Sequence, residues 1–116
     1  MKVIVAGSRD IKNYNIVEEA ILESGFEISS IVSGGARGVD SLGEQFARIH
    51  SYDVLRFPVT PEEWRTLGRK AGPLRNQRMA ENADALVAVW DGSSRGTASM
   101  INLARKQGLK IYIHRI

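Results

Sequence analysis

Four short segments of the chain concentrate glycine, arginine and small hydroxyl side chains. They are Gly7-Ser8-Arg9-Asp10, Ser33-Gly34-Gly35-Ala36-Arg37-Gly38-Val39-Asp40, Gly72-Pro73-Leu74-Arg75-Asn76 and Asp91-Gly92-Ser93-Ser94-Arg95-Gly96-Thr97. That mixture suits an anion. Glycine leaves backbone N–H groups open to close approach and tolerates positive φ. Arginine adds a forked cationic donor, worth ~1.5–3 kcal/mol per hydrogen bond to a charged group. Ser8, Ser33, Ser93, Ser94 and Thr97 supply neutral donors of short reach. Asp40 and Asp91 sit in or beside the glycine loops, where a carboxylate accepts from a ribose hydroxyl or caps a helix. Asn76 and Asp40 suit ribose or base edges.

Each loop by itself also fits a tight strand-to-helix turn with a solvated arginine, so the functional reading depends on the four meeting at one place. No Gly-Lys-Ser/Thr is present and no intact G-x-G-x-x-G follows the first apolar run, which disfavours ATP hydrolysis and ordinary NAD binding. Trp64, between Pro61 and Gly68, is expected to cover a ligand as a lid. Trp90 is expected to pack in the core, Glu44 and His50 to face solvent on a helix, and His114 to lie at the surface.

The elements that must position these loops are legible from hydrophobic spacing. Val3 to Ala6, Ile28 to Val32, Val54 to Phe57, Ala85 to Trp90 and Lys110 to His114 read as strands. Ala85 to Trp90 is the most continuous apolar run and the expected central strand. Helical spacing links Ile16, Val17, Ala20, Ile21 and Leu22 before Ser24-Gly25, and Val39, Leu42, Phe46, Ala47 and Ile49 further on. Thr60-Pro61-Glu62-Glu63 carries a helix-start signal that Gly68 cuts short. A further helix is predicted from near Pro73 to about Asn82, and a last one from Thr97 to Gln107. Strands alternating with helices give an α/β domain with a mainly parallel five-stranded sheet covered on both faces. Right-handed crossovers bring the strand C-terminal ends, and with them the loops, to one edge.

Bulk properties bound the rest. With 116 residues, 43% hydrophobic and 25% charged, residues 1–116 are expected to form one globular domain. There is no cysteine, which removes thiol catalysis, disulfides and thiolate zinc sites, and two unpaired histidines make a metal site an unexpected feature. No apolar stretch approaches the ~20 residues of a membrane span, and none matches a signal peptide, so a cytoplasmic setting is expected. The net charge of +3 suits a small anion as well as a nucleic acid.

In these same loops the sequence resembles the SLOG superfamily, and within it the small stand-alone YspA-like proteins of bacteria and phages. The resemblance is carried by Val5-Ala6-Gly7-Ser8-Arg9, Val32-Ser33-Gly34-Gly35-Ala36-Arg37-Gly38-Val39-Asp40, Ala71-Gly72-Pro73-Leu74-Arg75-Asn76 with Met79, and Trp90-Asp91-Gly92 through Gly96-Thr97. The second segment is also similar to the signature of the DprA family of DNA-processing proteins. The resemblance implies a Rossmann-like three-layer domain, a nucleotide or nucleotide-derived phosphate ligand, no required cofactor, and a homodimer or higher homo-oligomer. LOG-type phosphoribohydrolases of this superfamily pair an arginine with a glutamate just after a Gly-Gly-x-Gly-Thr loop. Here Ala98-Ser99-Met100 follows Thr97, and that glutamate is missing. Asp40 or Asp91 replaces it only in a different geometry.

Three functions follow in order. The first is a binding module that senses or sequesters a nucleotide-derived small molecule. In it the amides of Gly34 to Gly38 and Gly92 to Thr97 hold phosphate, aided by Ser8, Arg9, Arg37, Arg75 and Arg95. The second is a nucleoside-monophosphate N-glycosidase or transferase. The third is a DprA-like nucleic-acid binder.

Overall fold

Along Val3, Ile4 and Val5, and again along Leu86, Val87 and Ala88, every residue is buried. A strand buries successive side chains on opposite faces, so such runs need a packed layer on each side of the sheet. The computed structural model, which describes residues 1–116, supplies both layers. Strands β1 (Lys2–Gly7), β2 (Ser30–Ser33), β3 (Asp53–Arg56), β4 (Ala85–Trp90) and β5 (Lys110–Arg115) form one sheet in the order β3-β2-β1-β4-β5. Every pairing is parallel.

Helices α1 (Tyr14–Ser24) and α2 (Val39–Ile49) cover one face. There Val17, Ala20, Ile21, Val39 and Phe46 pack on Val3, Val5, Ile31, Val87 and Val89. Helices α4 (Ala71–Glu81) and α5 (Arg95–Lys106) cover the other. Met79, Ala80, Met100, Ile101 and Ala104 pack there on Ile4, Ala6, Val32, Leu86 and Ala88. The strict odd–even split of β1 between the two clusters is the pleat made visible. Truncating a fully buried side chain such as Phe46 or Ile4 removes ~2–5 kcal/mol in cores of this kind.

Between β3 and α4 the chain makes the short helix α3 (Pro61–Leu67) and a 3₁₀ turn, Gly68–Lys70. Thr60 and Glu63 form a reciprocal capping box at the start of α3, as Thr-Pro-Glu-Glu predicts. No helix of the fold is long and apolar enough to cross a membrane.

Three element starts and the sheet order differ from the sequence reading. β2 starts at Ser30, not Ile28: its ladder with β1 begins at the Lys2–Ser30 pair, and Ser29 N donates to Met1 O just ahead of it at 2.8 Å. α4 starts at Ala71, two residues before Pro73, which the first helical turn accommodates because its N–H groups have no partner there anyway. α5 starts at Arg95, with the Ser94 hydroxyl as cap. β4 is interior, but the middle strand is β1, because the chain crosses back over β1 after β3. That reversal opens a crevice between the C-terminal ends of β1 and β4.

Candidate functional site

The loop after β1 and the glycine loop after β2 are seated on each other. Ser8 O accepts from Val39 N at 3.4 Å, joining the β1 loop to the start of α2. A side chain on Gly7 would collide with the Val89 carbonyl oxygen. Gly38 has φ +80°, and a Cβ there would lie 2.5 Å from the carbonyl oxygen of Arg9. Glycine at these two positions is what lets three loops converge.

At the β1–β4 crevice they enclose a cleft of about 430 Å³, within the ~300–1,000 Å³ of small-molecule sites. Its wall includes Ser8, Arg9, Asp40, Arg75, Asn76 and Thr97, from all four segments singled out in the sequence. Arg75 crosses from α4 to donate through Nη1 to Gly34 O at 2.6 Å, while its Nε donates to Asn76 Oδ1 at 2.9 Å. Gly34 has no room for a Cβ, which would lie 2.6 Å from that guanidinium.

Asp40 is only 7% exposed. Burial pushes its carboxyl up to about 6; Arg75, the Ala36 N–H and Arg9 oppose the rise, and Glu44 adds to it. Arg75 is itself shifted below its ordinary range by burial, against the pull of Asp40. A displaced carboxyl in a cleft, next to a guanidinium, is a common signature of a functional site. Ser8 is 5% exposed, and its hydroxyl, which helps to hold the Asp91 carboxyl low, makes no hydrogen bond of full geometry. A buried polar group left open in this way loses ~1–3 kcal/mol unless something binds it.

A second cleft of about 490 Å³ adjoins the first. Gly34, Gly35, Arg37 and Trp64 line it, and Arg9, Ala36 and Arg75 belong to both. Trp64 therefore flanks this second space and not the first.

The loop after β4 is more self-contained than its composition suggests. Asp91 Oδ1 accepts from Ser93 N and Ser94 N, both at 2.8 Å, and these bonds hold the carboxyl below the usual carboxylate range. Thr97 N donates to Ser94 Oγ at 3.4 Å. The amides expected to hold phosphate across Gly92 to Thr97 are thus partly committed inside the loop, and Asp91 acts as its internal cap. Ser93, Ser94, Gly96 and Thr97 still line the first cleft. Gly92 and Arg95 line neither cleft; a Cβ on Gly92 would meet the guanidinium of Arg115 instead. Ser33 and Gly38 also lie behind the cleft walls, as supports. Trp90 packs in the core and donates through Nε1 to Ser94 O at 3.1 Å, pinning the same loop.

One expectation is overturned. Glu44 does not face solvent; it is 5% exposed. Its Oε2 accepts from Ser33 Oγ at 2.7 Å, and its Oε1 accepts from Arg56 Nη2. Ser33 Oγ in turn accepts from Gly35 N at 3.0 Å, so Glu44 props the glycine loop from below. The signal was its spacing, four residues after Asp40 and three before the buried Ala47, on the same helical face. Glu44→Ala should leave the Ser33 hydroxyl without its acceptor and lower stability by ~1–3 kcal/mol in urea unfolding, with Glu44→Gln milder.

No protein-family model and no curated protein matches the sequence. Among solved structures, the fold is similar to that of DNA processing protein A (DprA) from Streptococcus pneumoniae, with a TM-score of 0.75. The fold is Rossmann-like. The two sequences are 21% identical, and the match covers 97% of this chain and 49% of that one, so this chain spans about half the length of that solved protein. The α/β architecture expected from the loops and apolar runs is the one observed, with a sheet that is parallel throughout.

Proposed function

We propose that the chain binds, and so senses or sequesters, a phosphate-bearing nucleotide or nucleotide-derived molecule at the C-terminal edge of the sheet. On the loop motifs, we place it with the stand-alone YspA-like branch of the SLOG superfamily. Phosphate lies between Arg9 and Arg75, and the nucleoside reaches Asp40, Asn76 and Ser8. One observation carries this reading: the unpartnered, buried Ser8 hydroxyl shares the crevice with Asp40 and two guanidinium groups. The cleft is not uniformly cationic, since Asp10, Asp40 and Asp91 also reach it. Such a mixture fits a ligand with an anionic end and a hydroxyl-bearing end better than a bare anion.

Calorimetry with AMP, GMP, CMP and UMP tests the reading. At least one should bind, and Arg75→Ala should weaken it by about 10- to 100-fold, the loss of one or two charged hydrogen bonds. No heat from these or any other phosphorylated nucleoside, single or bridged, at millimolar concentration would overturn it. Chromatography of the same samples for free base reports any turnover.

A second reading, binding of DNA along this edge, is favoured by the fold likeness to DNA processing protein A. Its mark is an affinity for oligonucleotides that falls steeply with salt and exceeds that for any mononucleotide.

A further inference from the structure

Resting on that reading, we propose that the ligand has two nucleoside-sized groups joined through phosphate, one in each cleft, with the bridge held by Arg9 and Arg75. The two clefts, about 430 and 490 Å³, are alike in size and each falls within the range of a small-molecule site. They are not independent. The residues they share are Arg9, Ala36 and Arg75, so the boundary between them is lined by two arginines and one small side chain. A phosphate placed there faces both spaces at once, and a mononucleotide fills only one of them.

The linings differ in a way that assigns the two ends. The first cleft holds the carboxylates, the amide of Asn76 and the open Ser8 hydroxyl, partners for sugar hydroxyls and base edges. The second has no carboxylate at all; its polar side chains are arginines, and Pro58, Val59 and Trp64 join the glycine loop in its remaining wall. Inorganic phosphate would satisfy the arginines and leave that apolar wall unused. An aromatic base would lie on it, since every base presents a π-face to an indole.

Trp64 is presented for this. It is 47% exposed although it is the largest side chain of α3. The Thr60–Glu63 capping box closes the start of its helix, and Glu63 Oε2 accepts from Arg78 Nη1 of α4 at 3.0 Å. The indole thus stands half-exposed at the wall of the second cleft, within reach of a base placed there.

The test is calorimetry on the full chain with AMP and GMP, with the adenosine and guanosine 5′,5′-dinucleoside diphosphates, and with the 3′,5′-linked dinucleotides pApA and pGpG. At least one bridged compound should bind about tenfold or more tightly than its own mononucleotide, the worth of one stacked base. Whether the 5′,5′ or the 3′,5′ compounds show the gain identifies the bridge. In Trp64→Ala the gain should collapse, and in Trp64→Phe most of it should return, with thermal melts verifying that both variants fold. Equal affinity for bridged and single nucleotides, or a gain that survives Trp64→Ala, overturns the two-cleft ligand while nucleotide binding stands. If no nucleotide of either kind binds, both proposals fall.

Discussion

Asp40→Asn is expected to remove a fall in stability that the native chain shows as pH rises from about 4 to about 6. The folded carboxyl titrates near 6 and the unfolded one near 3.8, with burial as the main cause. Between those values the native state holds a proton that the unfolded chain has released, so raising the pH draws stability out of the fold. The contribution is fully present below 3.8 and gone above about 6. A displacement of this size corresponds to about 3 kcal/mol. The groups facing the carboxyl are Arg75 from α4, Arg9 from the β1 loop, Glu44 from its own helix and the Ala36 N–H, and all but Glu44 oppose the effect. Asparagine keeps an acceptor for Ala36 and carries no proton to lose. Relative to the native chain, the variant should therefore gain stability as pH rises through this window, and hold the gain above it. Urea unfolding of both chains across the range measures it; a difference that stays constant with pH would sink the assignment. The same carboxyl is a donor when neutral and an acceptor when charged, so nucleotide affinity should also change through pH 6.

Gly38→Ala should be among the most damaging single-methyl changes in the chain. The position has φ +80° and ψ −131°, a region of backbone space that is essentially glycine's own. The added Cβ would also lie 2.5 Å from the Arg9 carbonyl oxygen and 2.6 Å from the Arg9 Cα. Strain of ~1–3 kcal/mol and overpacking of similar size act together, so a loss of about 3 kcal/mol or more is expected. Relief requires the β1 loop to move, which carries Ser8 and Arg9 out of the crevice, so nucleotide affinity should fall with stability. Gly35→Ala is the control. It also has positive φ, +75°, but a Cβ there meets nothing within 4 Å. It should lose only the left-handed backbone term, ~1–2 kcal/mol. Thermal or urea unfolding of the pair separates the two contributions, and equal losses would show that the contact with Arg9 is unimportant.

The contrast between these glycines shows where sequence reasoning stops. Both stand in one loop, the sequence reads both as parts of one glycine-rich segment, and only the Arg9 backbone lying on Gly38 tells them apart. Glu44 makes the same point: exposure is the default for a helical glutamate, and Ser33 and Arg56 override it from β2 and β3. Asp91 makes it again, since free and committed amides in the Gly92 to Thr97 loop have the same sequence.

By itself the sequence determined the α/β class, the five strands, the parallel sheet and the placing of three glycine–arginine loops at strand ends, with a fourth such segment opening a helix. Those properties are written locally, in unbroken apolar runs, helical spacing and cap residues, because burial on both faces of a strand leaves no alternation to misread. The tertiary structure alone decided that β1 is the middle strand, that Ser8 is left with an open hydroxyl, that Asp40 is desolvated, and that Arg9 and Arg75 divide two clefts. Each depends on contacts such as that of Arg75 with Gly34, 41 residues away. Which donors are left over is known only once every other partner has been placed.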